Sequence, residues 1–273
     1  MNINNIYAEL GEGIHLDKGS DSIYWVDINN NMLFVATPLS ANSYKLDKQV
    51  TTVLCAKNNL IHLTSADGIV VFDITTCTLS LLDKVPDLYS SQSYRSNDAV
   101  MITDEVYIYG IMNKSLDTSG AIVVSKNKQS NVVDQDIFIP NTFIRTPGTN
   151  DLLISDSLKC RIFKYQFSKD WGVVVSKSIW LDLAEEKLIP DGGCISSDGR
   201  IFISIWDGFK ILELDMDGKI VDEFKVPVPR PTNCALNKKE NKLFVSSAYE
   251  GLSRDERKRY PLSGSIIEVG IGC

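Results

Sequence analysis

The feature that most limits what this chain can fold into is a hairpin-bearing segment that returns along its length. In its clearest copy, Ile189 to Ala235, apolar runs at 201–205, 211–214 and 220–226 alternate with Asp-Gly turns at Asp198, Asp207 and Asp217. Apolar strands separated by such turns mark antiparallel hairpins. The segment opens on Pro190, Asp191 and Gly192, which read as one more turn. A four-stranded antiparallel sheet of roughly 45 residues has the length and punctuation of a propeller blade.

The segment can be laid on the chain about six times, at intervals of roughly 40 to 50 residues. It starts at Glu12, near Thr51, and at Asn97, Asn141, Asp191 and Thr232, and its second strands centre on Tyr24, Ile61, Tyr107, Leu153, Phe202 and Phe244. The expected fold class is therefore all-β: a six-bladed β-propeller with four-stranded antiparallel blades around a central channel. No Pro/Gly/Ser-rich or charged linker divides residues 1–273, so one domain is expected. The first strand of each propeller blade lines the channel, so residues at equivalent repeat positions converge there. Here those are Glu12, Thr51 or a neighbour, Asn97, Asn141, Asp191 and Thr232. Each alone reads equally as a turn residue; the shared register sets the group apart as a set of oxygen ligands.

Composition excludes several classes. A formal net charge of −7 gives no footprint for nucleic acid. The one basic cluster, Arg254 to Arg259, is interrupted by acids and reads as a solvated loop. No apolar run approaches the roughly 20 residues that span a bilayer, so neither membrane nor nucleic acid is an expected partner. The opening MNINNIYAEL has neither the basic nor the apolar region of a secretion signal, which makes the cytoplasm the expected location. The six cysteines (Cys55, Cys77, Cys160, Cys194, Cys234, Cys273) form no C-x-x-C pair and read as small thiols in a reducing compartment. With two histidines in poor spacing, a soft-ligand zinc site is disfavoured, and His15 and His62 read as core or rim. Nucleophile elbow, Walker loop and H-E-x-x-H are all absent.

Two local patterns point to chemistry. Glu12 stands between Gly11 and Gly13, whose freedom lets the backbone bend and aim the carboxylate. Arg95 and Asn97 alternate along one strand and so share a face. A guanidinium fork beside an amide suits an oxygen-rich ligand, although a surface ion pair fits Arg95 equally.

LGEG at 10–13, YWVDI at 24–28, R-x-N-D at 95–98, PN at 140–141, ISDS at 154–157, PDGG at 190–193, VPRPTNCA at 228–235 and SGSIIEV at 263–269 occur in this order. Together they resemble the senescence marker protein/regucalcin/gluconolactonase family over nearly the whole chain. The resemblance implies a six-bladed propeller and one divalent cation (Ca, Zn, Mg or Mn), with Glu12, Asn141 and Asp191 as metal ligands. It implies substrate contacts from Arg95 and Asn97, a general base at Asp191, and closure by pairing of a Tyr7–Leu10 strand with a Ser265–Val269 strand. The implied activity is metal-assisted hydrolysis of a lactone, a sugar-acid ester closed into a ring, by a monomer or small homo-oligomer. A non-catalytic calcium- or ligand-binding propeller and a phosphotriesterase-type hydrolase are the alternatives. The chain departs from the family pattern at Ala99 and Thr142, where glycine is common, and at Lys114, where some members carry a substrate-binding glutamate. A cation at that place points to a negatively charged substrate.

Overall fold

A computed structural model describes residues 3 and 5–272. The first blade is β1 (Gly11–Asp17), β2 (Ser22–Asp27), β3 (Met32–Ala36) and β4 (Ala41–Lys45). The second is β5 (Val50–Lys57), β6 (Leu60–Ser65), β7 (Gly68–Asp73) and β8 (Thr78–Lys84). The third is β9 (Tyr94–Thr103), β10 (Val106–Asn113), β11 (Ala121–Lys126) and β12 (Gln129–Asp134). The fourth is β13 (Pro140–Arg145), β14 (Asp151–Asp156), β15 (Arg161–Phe167) and β16 (Val174–Asp182). The fifth is β17 (Ile189–Ile195), β18 (Ile201–Trp206), β19 (Lys210–Leu214) and β20 (Ile220–Lys225). The sixth is β21 (Pro231–Leu236), β22 (Lys242–Ser247) and β23 (Ile267–Gly270), three strands among the described residues, with helix α1 (Arg254–Arg259) between the last two. Six consecutive antiparallel sheets make the fold class a six-bladed β-propeller. Among the described residues no helix is long and apolar enough to cross a membrane.

Contacts gather the chain into two compact units, residues 1–50 with 191–273, and residues 51–190. In the first unit β2 is buried at every position while β20 is almost wholly exposed. Ile14, Ile23, Trp25, Phe34, Phe244 and Ile266 share one core, with the Trp25 and Phe34 rings stacked at 5.0 Å between centroids. In the second unit Ile108, Ile122, Ile154, Phe163, Tyr165 and Trp171 form a comparable core.

Polar groups tie first strands to second strands. Thr51 Oγ1 lies 2.8 Å from Thr64 Oγ1, Thr142 Oγ1 donates to Ser155 Oγ at 2.9 Å, and Thr232 Oγ1 lies 2.8 Å from Ser246 Oγ. The aspartate ending the second strand binds the loop that leads into the first. Asp27 accepts from Glu9 N and Leu10 N at 2.7 and 3.3 Å, and Asp156 accepts from Phe138 N and Ile139 N at 3.0 and 3.2 Å. Two carboxylates that sequence pattern alone leaves unassigned thus set where Glu12 and Asn141 begin.

Some expectations are corrected. Pro190–Gly192 lies inside β17 and makes no turn. A side chain on Gly192 would fall 2.2 Å from the Asn233 side chain, so this glycine serves close packing. Tyr7–Leu10 forms no strand beside 265–269. Ala8 N donates to Gly264 O at 2.8 Å, and Leu10 makes an isolated bridge to Ala248. Arg254–Arg259 is a helix with a capping box. Ser253 Oγ accepts from Glu256 N, and Glu256 Oε2 accepts from Ser253 N. The S-x-x-E spacing carried that signal. Cys77 is exposed in a turn, Cys55, Cys160, Cys194 and Cys234 are free thiols, and Cys273 lies outside the described residues.

Asp156→Ala leaves two loop N–H groups without their charged acceptor and should cost about 2–3 kcal/mol, read as a lower urea midpoint at unchanged slope. A loss below about 0.5 kcal/mol, the size of an ordinary surface change, would contradict the role given to this carboxylate.

Candidate functional site

Every candidate residue sits in the first strand of its blade: Glu12 in β1, Arg95 and Asn97 in β9, Asn141 in β13, Asp191 in β17. Bulges stand in β1, β13 and β9. Glu12 pairs with Val26 and His15 with Tyr24, so Gly13 and Ile14 oppose one residue. Asn141 pairs with Ser155 and Ile144 with Leu153, so Thr142 and Phe143 oppose one residue. In β9 the extra pair is Asn97 and Asp98 themselves, between Ser96 and Ala99. A bulge re-aims side chains beside it, which is why bulges gather at active sites.

The first bulge uses glycine, with Gly13 at φ 56° and its N–H 3.2 Å from Glu12 Oε2. The second does not. Thr142 adopts φ 80°, a conformation that a β-branched side chain holds only when its surroundings enforce it. Its hydroxyl bond to Ser155 Oγ supplies part of that hold. The place where glycine is common in the family is therefore a positive-φ position, and threonine occupies it under strain.

In the unit 51–190 the structure brings Arg95, Asn97 and Asn141 together. Arg95 Nη1 donates to Asn97 Oδ1 and to Ser96 O. Asn97 Nδ2 donates to Pro140 O at 3.0 Å and to Asn141 Oδ1 at 2.5 Å. Asn141 Nδ2 donates to Ser157 Oγ at 3.0 Å, and Ser157 Oγ donates to Pro190 O at 2.6 Å. The direction follows from chemistry, because a guanidinium has donors and no acceptor. Arg95 must meet the oxygen of Asn97, which turns that amide's NH2 toward the oxygen of Asn141. An amide oxygen has two lone pairs. One takes the Asn97 hydrogen, and the other has the chemistry to take a cation.

In the unit formed by 1–50 and 191–273, Asp191 is buried in β17 and Glu12 is half-buried in β1. Asn233 packs beneath Gly192 and accepts from Cys234 N at 2.8 Å. Ser204 Oγ, in β18, is buried without a hydrogen-bond partner. Among the described residues no three His, Cys, Asp or Glu side chains gather at metal-ligating spacing. Glu12, Asp191 and Asn141, the ligands that the resemblance implies, are two carboxylates and an amide. Oxygen donors of this mixed charge fit a hard divalent cation. His15 is half-buried, and desolvation lowers its pKa; His62 Nδ1 lies 3.0 Å from Tyr107 OH, and its pKa is lowered for the same reason. Both belong to the framework.

Asp98 is the residue that sequence reasoning passed over. It is buried, accepts from Ala99 N at 2.9 Å, and has Thr52 Oγ1 at 3.5 Å. Burial pushes its pKa up to about 6. Its place in R-x-N-D was the only sequence signal. A carboxyl raised in the folded state favours that state fully below its unfolded value, and the advantage is lost as pH rises through about 6. In chelator-treated protein Asp98→Asn should therefore gain stability relative to wild type between pH 4 and pH 7, by about 2 kcal/mol. Parallel denaturation curves for the two proteins at both pH values would contradict this.

The sequence pattern of the SMP-30/Gluconolactonase/LRE-like region matches residues 10–249. Regucalcin of Oryctolagus cuniculus is 24% identical over 96% of this chain and 91% of its own. Among solved structures, a calcium-binding regucalcin from Agrobacterium tumefaciens superposes with a TM-score of 0.91 at 23% identity, covering 98% of this chain and 92% of that one. A gluconolactonase from Xanthomonas campestris does so with 0.75 at 14% identity, covering 88% and 84%.

Proposed function

Because this chain belongs to the SMP-30/gluconolactonase/LRE-like family, we propose that it is a divalent-metal-dependent hydrolase that opens the ring of a sugar-acid lactone. Glu12, Asn141 and Asp191 would hold the cation, and Arg95 and Asn97 would contact the substrate. The observation that supports this reading is the orientation of the Asn141 amide, whose oxygen accepts from Asn97 Nδ2 while Arg95 holds the Asn97 oxygen. A bound cation supplies polarisation of the lactone carbonyl and lowers the pKa of water. The remaining work falls to side chains. Asp191, as general base, takes a proton from water as the water oxygen attacks the ring carbonyl. The ring C–O bond then breaks and the proton passes to the departing ring oxygen, giving the open hydroxy acid. Arg95 and Asn97 orient the substrate's oxygens, and the link between them keeps the pair aligned.

The charge of the substrate is set by Arg95 and Lys114. Arg95 faces Met112 across β9 and β10, and Lys114, two residues further on, donates its N–H to Ser93 O at 2.9 Å. Two cations at the end of one hairpin favour a lactone that carries a carboxylate. Lys114→Ala should lower the ratio of kcat/KM for acidic over neutral lactones by about fivefold, the scale of a partly exposed charge pair. Equal selectivity in both proteins removes this assignment.

Asp191→Ala should lower lactone turnover by about 10²-fold or more, the scale of a general base. Activity of the wild type should disappear with chelator and return with added divalent ion. Near-normal turnover by the variant contradicts the reading. A second reading is favoured by the calcium-binding description of the Agrobacterium relative. Calcium binding without turnover on any lactone would select it.

A further inference from the structure

An asparagine can sit in its density of neighbours in two ways, with oxygen and nitrogen exchanged, and only one of them offers a cation an oxygen. We infer that Ser157 is a positioning residue that selects this orientation for Asn141, so that Oδ1 and not Nδ2 is presented as a ligand. The inference rests on the proposed reading of Asn141 as a ligand.

Ser157 is buried, and its hydroxyl has one hydrogen and two lone pairs. The hydrogen goes to Pro190 O at 2.6 Å, so toward Asn141, at 3.0 Å, the hydroxyl acts as acceptor. An acceptor at that place selects the NH2 of Asn141. On the other side Asn97 also selects, because its own oxygen is held by Arg95 and its NH2 is what remains to face Asn141. A reversed Asn141 would set NH2 against NH2 on one side and oxygen against a lone pair on the other. Ser155 Oγ reaches the same Pro190 carbonyl at 3.4 Å, so the shorter bond is that of Ser157. The preceding Asp156 is occupied with the N–H groups of Phe138 and Ile139, and Ser155 Oγ accepts from Thr142 Oγ1, so within this motif it is the Ser157 side chain that takes the Asn141 amide hydrogen. Groups that orient a metal ligand typically change cation affinity by about 10- to 100-fold when removed.

The test is a double-mutant cycle read by calorimetric titration with CaCl2, using the full chain as wild type, S157A, N141D and S157A/N141D. A carboxylate presents an oxygen whichever way it turns, so orientation control should matter only when residue 141 is an amide. The expected result is a loss of about tenfold in calcium affinity for S157A in the Asn141 protein and below about twofold in the N141D protein. Equal losses in both backgrounds mean a general structural role, and no loss in either means no role; both overturn the inference. If S157A does not fold, S157C, whose thiol accepts weakly, enters the same cycle under the same criteria. Failure of the wild type to bind Ca2+, Mg2+, Mn2+ or Zn2+ is a different outcome, which overturns the ligand reading itself and the inference with it.

Discussion

A guanidinium donates hydrogen bonds and accepts none, and in the unit 51–190 that one-way character sets the direction of a buried chain of polar groups. From Arg95 the order runs through Asn97, Asn141 and Ser157 to the carbonyl of Pro190, the residue before Asp191 in sequence. Each amide in the chain could face either way in isolation. Coupled to Arg95 at one end and to a carbonyl at the other, each has one satisfied orientation. Buried polar groups bonded in this manner are specific because leaving any one of them unmet is costly.

The chain works only because the strands that carry it are irregular. A regular β-strand alternates its side chains between two faces, so neighbouring residues such as Asn97 and Asp98 would diverge. The bulges in β1, β9 and β13 interrupt that alternation beside Glu12, Asn97 and Asn141. Asp98 is thereby buried against Thr52 and the Ala99 N–H while Asn97 reaches Asn141. The strain at Thr142 belongs to the same device, since the two residues that follow Asn141 must both take positive φ. Asp156 completes it from outside the strands, by anchoring the loop that enters β13.

Much of the fold was legible because turn chemistry and strand burial are local. The Asp-Gly pairs at 198, 207 and 217 fall in the turns of the fifth blade. The apolar centres at Tyr24, Ile61, Tyr107, Leu153, Phe202 and Phe244 all fall in second strands. Pro190 and Gly192 misled because proline and glycine mark turns only on average. Here the glycine makes room for Asn233, forty-one positions away by residue number, which no local pattern encodes. The helix at Arg254–Arg259 was readable from Ser253 and Glu256, whereas its charge pattern pointed to a loop.

By itself the sequence determined the repeat, the all-β class, the identity of the oxygen-bearing residues that open the blades, and the family to which the chain belongs. Those properties depend on residue types and their spacing along one dimension. Only the tertiary structure decided that Asn97 meets Asn141, that Asp98 is buried, that Thr142 sits at positive φ, and that Ser157 faces the Asn141 amide. A hydrogen bond has direction as well as partners, and direction exists only once strands from different blades stand side by side.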